Sequence, residues 1–167
     1  NNANTICLRL NNGVNNGGSY TFLTDTWYYL TAVLDSNGNN YYVNGELVST
    51  VGSQISSLND TNDELTIGGR SSAHSLNGNM DEVTIWDIAL TQEEILSGML
   101  NGYSGTESGL VGYWDFNEGD GSTVTDASGN GNDGTVYGAT WVGSNENVLL
   151  TYDFMLDNWS ATGGEHL

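Results

Sequence analysis

The chain has no proline, no lysine and a single cysteine, Cys7, among its 167 residues. One thiol excludes an intrachain disulfide and any cysteine-based zinc site, and Cys7 reads as a small core or edge residue. Cations are almost as scarce. Arg9 and Arg70 stand against 21 acidic residues, for a formal net charge of −19. Such a surface cannot neutralise phosphates, which excludes nucleic acid and anionic lipid as partners. No apolar run approaches the ~20 residues of a membrane span, so membrane insertion is not expected. The chain opens Asn-Asn-Ala-Asn with no leader and no initiator Met, and it is expected to be a processed product or an excised piece.

Catalytic signatures are missing as well. A glucanase needs paired carboxylates on one strand face, typically acids at i, i+2 and i+4, and no such triplet occurs. The two histidines, His74 and His166, lie in a serine-rich stretch and in the tail, and no Gly-x-Ser-x-Gly turn presents a nucleophile. The chain is therefore read as non-enzymatic.

What is present is glycine, asparagine and aromatic bulk: 23 Gly, nine Tyr, five Trp and three Phe. Tyr28 to Asp35 is a β-rich run, followed by Asn37-Gly38, a strong hairpin signal. Residues 40–43 return, Asn44-Gly45 turns again, and residues 46–51 lead away. Leu65 to Gly69 reads as a strand with a glycine end. Met80 to Trp86 alternates at period two, which puts Met80, Glu82, Thr84 and Trp86 on one face and Asp81, Val83 and Ile85 on the other. One helix is expected over Thr91–Leu100, where Thr91 and Glu94 have capping-box spacing and Asn101-Gly102 is a stop. Leu110 to Phe116 is a strand, residues 117–132 are turn-rich, and one or two short strands close by Val142. Many short strands with one small helix indicate a β-sandwich or jelly roll. One domain is assigned to residues 1–145, and 146–167 to a linker or the first strand of a following module.

Several segments in this order match a known family: residues 26–33 (TWYYLTAV), 42–48 (YVNGELV), 65–68 (LTIG), 76–86 (LNGNMDEVTIW), 89–95 (ALTQEEI), 110–119 (LVGYWDFNEG) and 126–135 (DASGNGNDGT). Over roughly residues 26–142 the chain resembles the laminin-G-like, concanavalin A-like jelly-roll modules of bacterial secreted proteins. The resemblance implies two antiparallel sheets, secretion or display at the cell surface, a frequent calcium ion, and no single ligand. In the usual member, Tyr-Trp-Asp-Phe and Asp-x-Ser-Gly-Asn-Gly come first; here, as Tyr113–Phe116 and Asp126–Gly131, they follow the helix. Either the sandwich is permuted or it lacks strands. In the latter case unpaired edges would invite self-association.

Asp126 to Asp133 clusters hard oxygen donors on a flexible backbone. Two readings are open: a self-bonded turn, or a calcium loop with Asp126, Ser128, Asn130 and Asp133 as ligands. The resemblance favours calcium, with Asp81 as an additional carboxylate. Glycan contacts are assigned to Tyr41 and Tyr103, with Asn59 and Asp60 on an Asx-rich rim. The leading expectation is a calcium-stabilised extracellular binding or adhesion module for a glycan or a protein. The alternatives are a structural repeat assembling by strand pairing and an accessory domain of a polysaccharide-degrading enzyme.

Overall fold

Runs of β-branched and aromatic residues, stopped by glycine and asparagine, make short strands the main regular element of the described residues, with one helix among them. The computed structural model describes residues 4–10, 14–52, 65–71, 74–142 and 149–154. Within them lie β1 (Asn4–Leu10), β2 (Val14–Tyr20), β3 (Leu30–Asp35), β4 (Gly38–Val43) and β5 (Glu46–Val51). β6 (Gly69–Ser71), β7 (His74–Met80), β8 (Val83–Trp86), the helix α1 (Gln92–Asn101) and β9 (Leu110–Trp114) follow. β10 (Thr123–Val124), β11 (Gly134–Thr135), β12 (Thr140–Val142) and β13 (Leu149–Phe154) complete the order. Every pairing is antiparallel. The ladders run β1-β2, β3-β4-β5, β8-β9, β10-β11 and β12-β13-β7-β6.

The two hairpins around β4 follow from their turn residues. Asp35 Oδ1 accepts from the N–H groups of Asn37 (2.6 Å) and Gly38 (3.2 Å), closing the first turn. Asn44 and Gly45 both have positive φ, 52° and 76°, as a tight hairpin turn requires. Between them β4 is the central strand, and Tyr41 and Val43 are buried core.

The second core gathers around Trp114, Phe116 and Val124, with Ile67, Met80, Val83, Ile85, Val136, Ala139 and Trp141 packed on it. Residues on both sides of the helix thus share one apolar interior. β9 pairs with β8, Val83 facing Trp114 and Thr84 facing Tyr113. The segment after the helix therefore belongs to the same body as the segment before it.

Three expectations need correction. The Leu65–Gly69 run is not a strand: Gly68 takes φ 80°, which breaks the extended backbone, and β6 begins only at Gly69. Met80–Trp86 is not one strand either. Glu82 adopts φ 55°, so β7 ends at Met80 and β8 restarts at Val83. The break puts Met80 on the same core as Val83 and Ile85 rather than on the face of Thr84 and Trp86. β9 stops at Trp114 because Phe116 is left-handed, φ 48°. β13 is hydrogen-bonded between β7 and β12 and covers what would be an open edge of β7.

The helix forms as its ends dictate. Thr91 Oγ1 accepts from Glu94 N (3.3 Å) and Glu94 Oε2 accepts from Thr91 N (2.7 Å), a complete capping box. Gly102 closes the other end, donating its N–H to Gly98 O at 2.8 Å with φ 69°. Gln92 Nε2 donates to Gly45 O (2.8 Å), and a Cβ on Gly45 would collide with Leu96, so α1 is seated on the β4–β5 turn. Thr91→Ala should cost about 1 kcal/mol of stability, measured by chemical denaturation, because it removes the cap while leaving the packed face of α1 intact.

Candidate binding site

The 126–133 loop is built around a buried carboxylate. Asp126 is 4% exposed. Its Oδ1 accepts from Tyr113 N (3.0 Å) and Ser128 N (3.0 Å), and its Oδ2 from Asn132 N (3.0 Å). Asp133 Oδ1 accepts in turn from Asp126 N at 2.8 Å. The side chains of Ser128, Asn130 and Asn132 donate to Val111 O at 3.3, 3.0 and 2.8 Å. Trp114 Nε1 donates to Asn132 O at 2.9 Å.

Asp126, Ser128, Asn130 and Asp133 are thus brought together, but as a self-bonded turn clamped to β9. Calcium requires six to eight inward oxygens. Here both oxygens of Asp126 are taken by N–H groups, and Ser128 and Asn130 present donors to a carbonyl. As placed, these residues do not fit a calcium cage. Asp81 is not part of the group; its charged neighbours are Glu82 and Asp115. Among the described residues, no three His, Cys, Asp or Glu side chains converge as a metal site.

The other assignments divide. Tyr41 is completely buried (0% exposed), because its ring points into the core from the central strand, so it cannot stack on a ligand. Asn59 and Asp60 lie outside the described residues. Tyr103 stands at the centre of an aromatic group. Its ring meets Trp86 edge-on (centroids 5.1 Å apart) and Tyr113 (6.1 Å), and its hydroxyl pairs with Tyr29 Oη at 3.0 Å. Tyr113 donates its hydroxyl to Glu82 Oε2 at 2.5 Å. Burial, then these hydrogen bonds, push the phenols of Tyr29 and Tyr113 well above the ordinary tyrosine range, so both remain neutral donors.

Local sequence explains how Tyr103 comes to sit there. Gly98 is the helical residue beneath its hydroxyl, and a Cβ at that position would collide with the ring. Gly105 lies against Ala127 O, so the segment after α1 rests on the Asp126 turn. The result is an open cleft of about 390 Å³ between α1, the end of β8 and residues 102–108. Trp86, Leu90, Glu94, Ser97, Tyr103 and Glu107 line it.

The two cleft carboxylates are strongly anchored. Glu94 is held below the usual range by the Thr91 backbone and hydroxyl donors. Burial works against Glu107, but donors from the Ser104 N–H (2.7 Å), the Ser104 hydroxyl (2.8 Å) and the Gly105 N–H (3.0 Å) outweigh it and lower its pKa. Both groups are charged at neutral pH. Trp86, Glu94 and Glu107 were not assigned to the site from sequence: Trp86 reads as one residue of an alternating strand, and Glu94 as a cap.

The comparisons agree with this architecture. Residues 1–96, more than half of the 167, match the concanavalin A-like lectin/glucanase superfamily in its laminin-G form, and the chain belongs to that family. Pappalysin-1 of Homo sapiens is 36% identical over 83 residues, and that of Mus musculus 32%. The aligned part is 47% of this chain and spans only 5% of those proteins. A candidate carbohydrate-binding protein from Bacteroides ovatus superposes with a TM-score of 0.60 at 24% identity, over 84% of this chain and 38% of its own. The fold is an all-β antiparallel jelly-roll sandwich.

Three outcomes follow from the site. Asp126→Ala strands three N–H donors, that of Tyr113 buried and those of Ser128 and Asn132 partly so, and should cost roughly 3 kcal/mol, measured by urea denaturation. Burial disfavours the Asp126 anion, but its donors from Ser128, Tyr113 and Asn132 win and hold the pKa down to about 2. Its contribution is therefore present above the unfolded value of 3.8 and is lost as pH falls from there toward about 2. Asp81 has the opposite sign. Burial, then Glu82, raises it from 3.8 to about 6, so its ionisation opposes folding as pH rises through that window. Asp81→Asn keeps an acceptor for Glu82 N (3.0 Å from Oδ1) and should raise Tm at pH 7, with the gain vanishing below about pH 4. Lastly, Gly98→Ala should lower Tm although alanine is the better helix former by about 1 kcal/mol, because Tyr103 is held by rings on two sides and cannot yield.

Proposed function

We propose that this chain is a non-catalytic carbohydrate-binding module of a secreted or cell-surface protein, and that its ligand lies in the cleft between α1 and the end of β8. The carrying observation is the lining itself. An indole and a phenol stand beside two charged carboxylates and the Ser97 hydroxyl in an open depression. Aromatic faces stack on the apolar faces of sugar rings, and a carboxylate oxygen with no protein donor, such as Glu94 Oε1, accepts a sugar hydroxyl. The likeness to a candidate carbohydrate-binding protein supports the same reading.

The carboxylates also argue against hydrolysis in this cleft. Glycoside cleavage needs one acid kept protonated by a raised pKa beside an ionised partner. Glu94 and Glu107 are both lowered. Asp81, whose pKa is raised, is not among the lining residues. The acidic surface suits life in salt-containing extracellular fluid, where long-range repulsion is screened within about 8–10 Å.

The test is a glycan array followed by titration calorimetry on the best ligand. Trp86→Ala should weaken binding by at least about tenfold, the cost of losing one buried aromatic face. Tyr137→Ala should change nothing, since this exposed ring (79%) is not part of the lining. A blank array, or equal loss in the two variants with both still folded by circular dichroism, overturns the proposal.

A further inference from the structure

The chemistry of the cleft narrows the ligand beyond "carbohydrate". We infer that it selects a glycan bearing free primary amines over its neutral or N-acetylated counterpart, an inference that rests on the glycan-binding reading above.

Among the described residues no cation lines the cleft, whereas Glu94 and Glu107 stand on it from two different elements, α1 and the loop after it. Both carboxylates are fixed by backbone donors, so their charge is preorganised rather than gathered on binding. Glu94 receives its donors on Oε2, which leaves Oε1 turned to other partners. Trp86 and Tyr103 also line the cleft, and an aromatic ring attracts an ammonium group through its π quadrupole. The same arrangement rejects uronic, sialic or sulfated sugars, because an anion would meet two carboxylates with no counter-charge. The whole-chain charge of −19 acts in the same direction but without specificity.

Three β-1,4-linked tetrasaccharides that differ only at C2 separate these terms: the glucosamine, N-acetylglucosamine and glucose oligomers. Binding is measured by calorimetry at physiological salt, for the wild type and for the double variant Glu94→Gln/Glu107→Gln. Glutamine is an accepted capping-box partner, so α1 keeps its start. The amine oligomer should bind about tenfold more tightly than the hydroxyl and acetamide forms, the joint size of an exposed ion pair and a cation–π contact. The double variant should bring it down to their level.

An amine preference that survives in the double variant would reflect only the general negative field and overturns the inference. Equal binding of the three oligomers overturns it too, while leaving the glycan-binding reading intact. So does a strong array hit on a neutral glycan when all three oligomers are silent. Silence of these oligomers together with a blank array sinks both.

Discussion

The carboxylate of Asp126 sets the geometry on which the second half of the molecule depends. It is buried and charged, and it ties three backbone N–H groups from β9 and from its own loop to one point. A buried anion is tolerable only when hydrogen-bonded this fully, and its removal would leave the donors with nothing in their place. The clamp fixes β9, and β9 carries Trp114 into the core and Tyr113 toward Glu82. The loop also offers the Ala127 carbonyl on which Gly105 rests, and Tyr103 is held nearby. The cleft is thus an indirect product of a turn that contributes no lining residue to it.

Glu82 supplies the second constraint. A left-handed non-glycine residue costs on the order of 1 kcal/mol or more. Part of that cost is met by Asp81, whose Oδ1 accepts the Glu82 N–H, and part by the Tyr113 hydroxyl that holds the Glu82 carboxylate. The gain is in facing. The break lets Met80, Val83 and Ile85 all contribute to one core, while Thr84 accepts from Trp86 Nε1 (3.0 Å) on the opposite side. Asp81 is left partly desolvated beside two other carboxylates, and its raised pKa is the electrostatic consequence.

Much of this was legible in the sequence, and what was not has identifiable physical causes. The helix and its caps were readable because Thr91 acts on Glu94 and Gly102 on Gly98, each within four residues. The hairpin at Asn44-Gly45 was readable for the same reason. The strand break at Glu82 was not, since nothing local marks a glutamate for positive φ; that conformation is imposed by tertiary contacts. Tyr41 and Tyr103 look alike in sequence, each a tyrosine beside polar residues. Only the central position of β4 buries the first, and only Gly98 and Gly105 open a place for the second. The Asx-rich loop is a related case: calcium loops and self-bonded turns use the same residues, so the residue types alone leave both readings open.

The order of the segments bears on what counts as one unit. The family match ends at residue 96, yet Val83 and Ile85 of β8 pack against Trp114, Phe116 and Val124, which lie beyond it. A piece cut at residue 96 would expose Met80, Val83 and Ile85 together and would leave β8 without the partner strand β9. Such an apolar face beside an open strand edge is an aggregation template. Residues 110–142 remove both defects within the chain, and β13 does the same for β7. The strand pairing that the displaced Tyr-Trp-Asp-Phe segment seemed to demand from a second copy is therefore met internally on β7 and β8. Self-association is not needed to complete these edges, and the cleft beside α1 is assembled entirely from one chain.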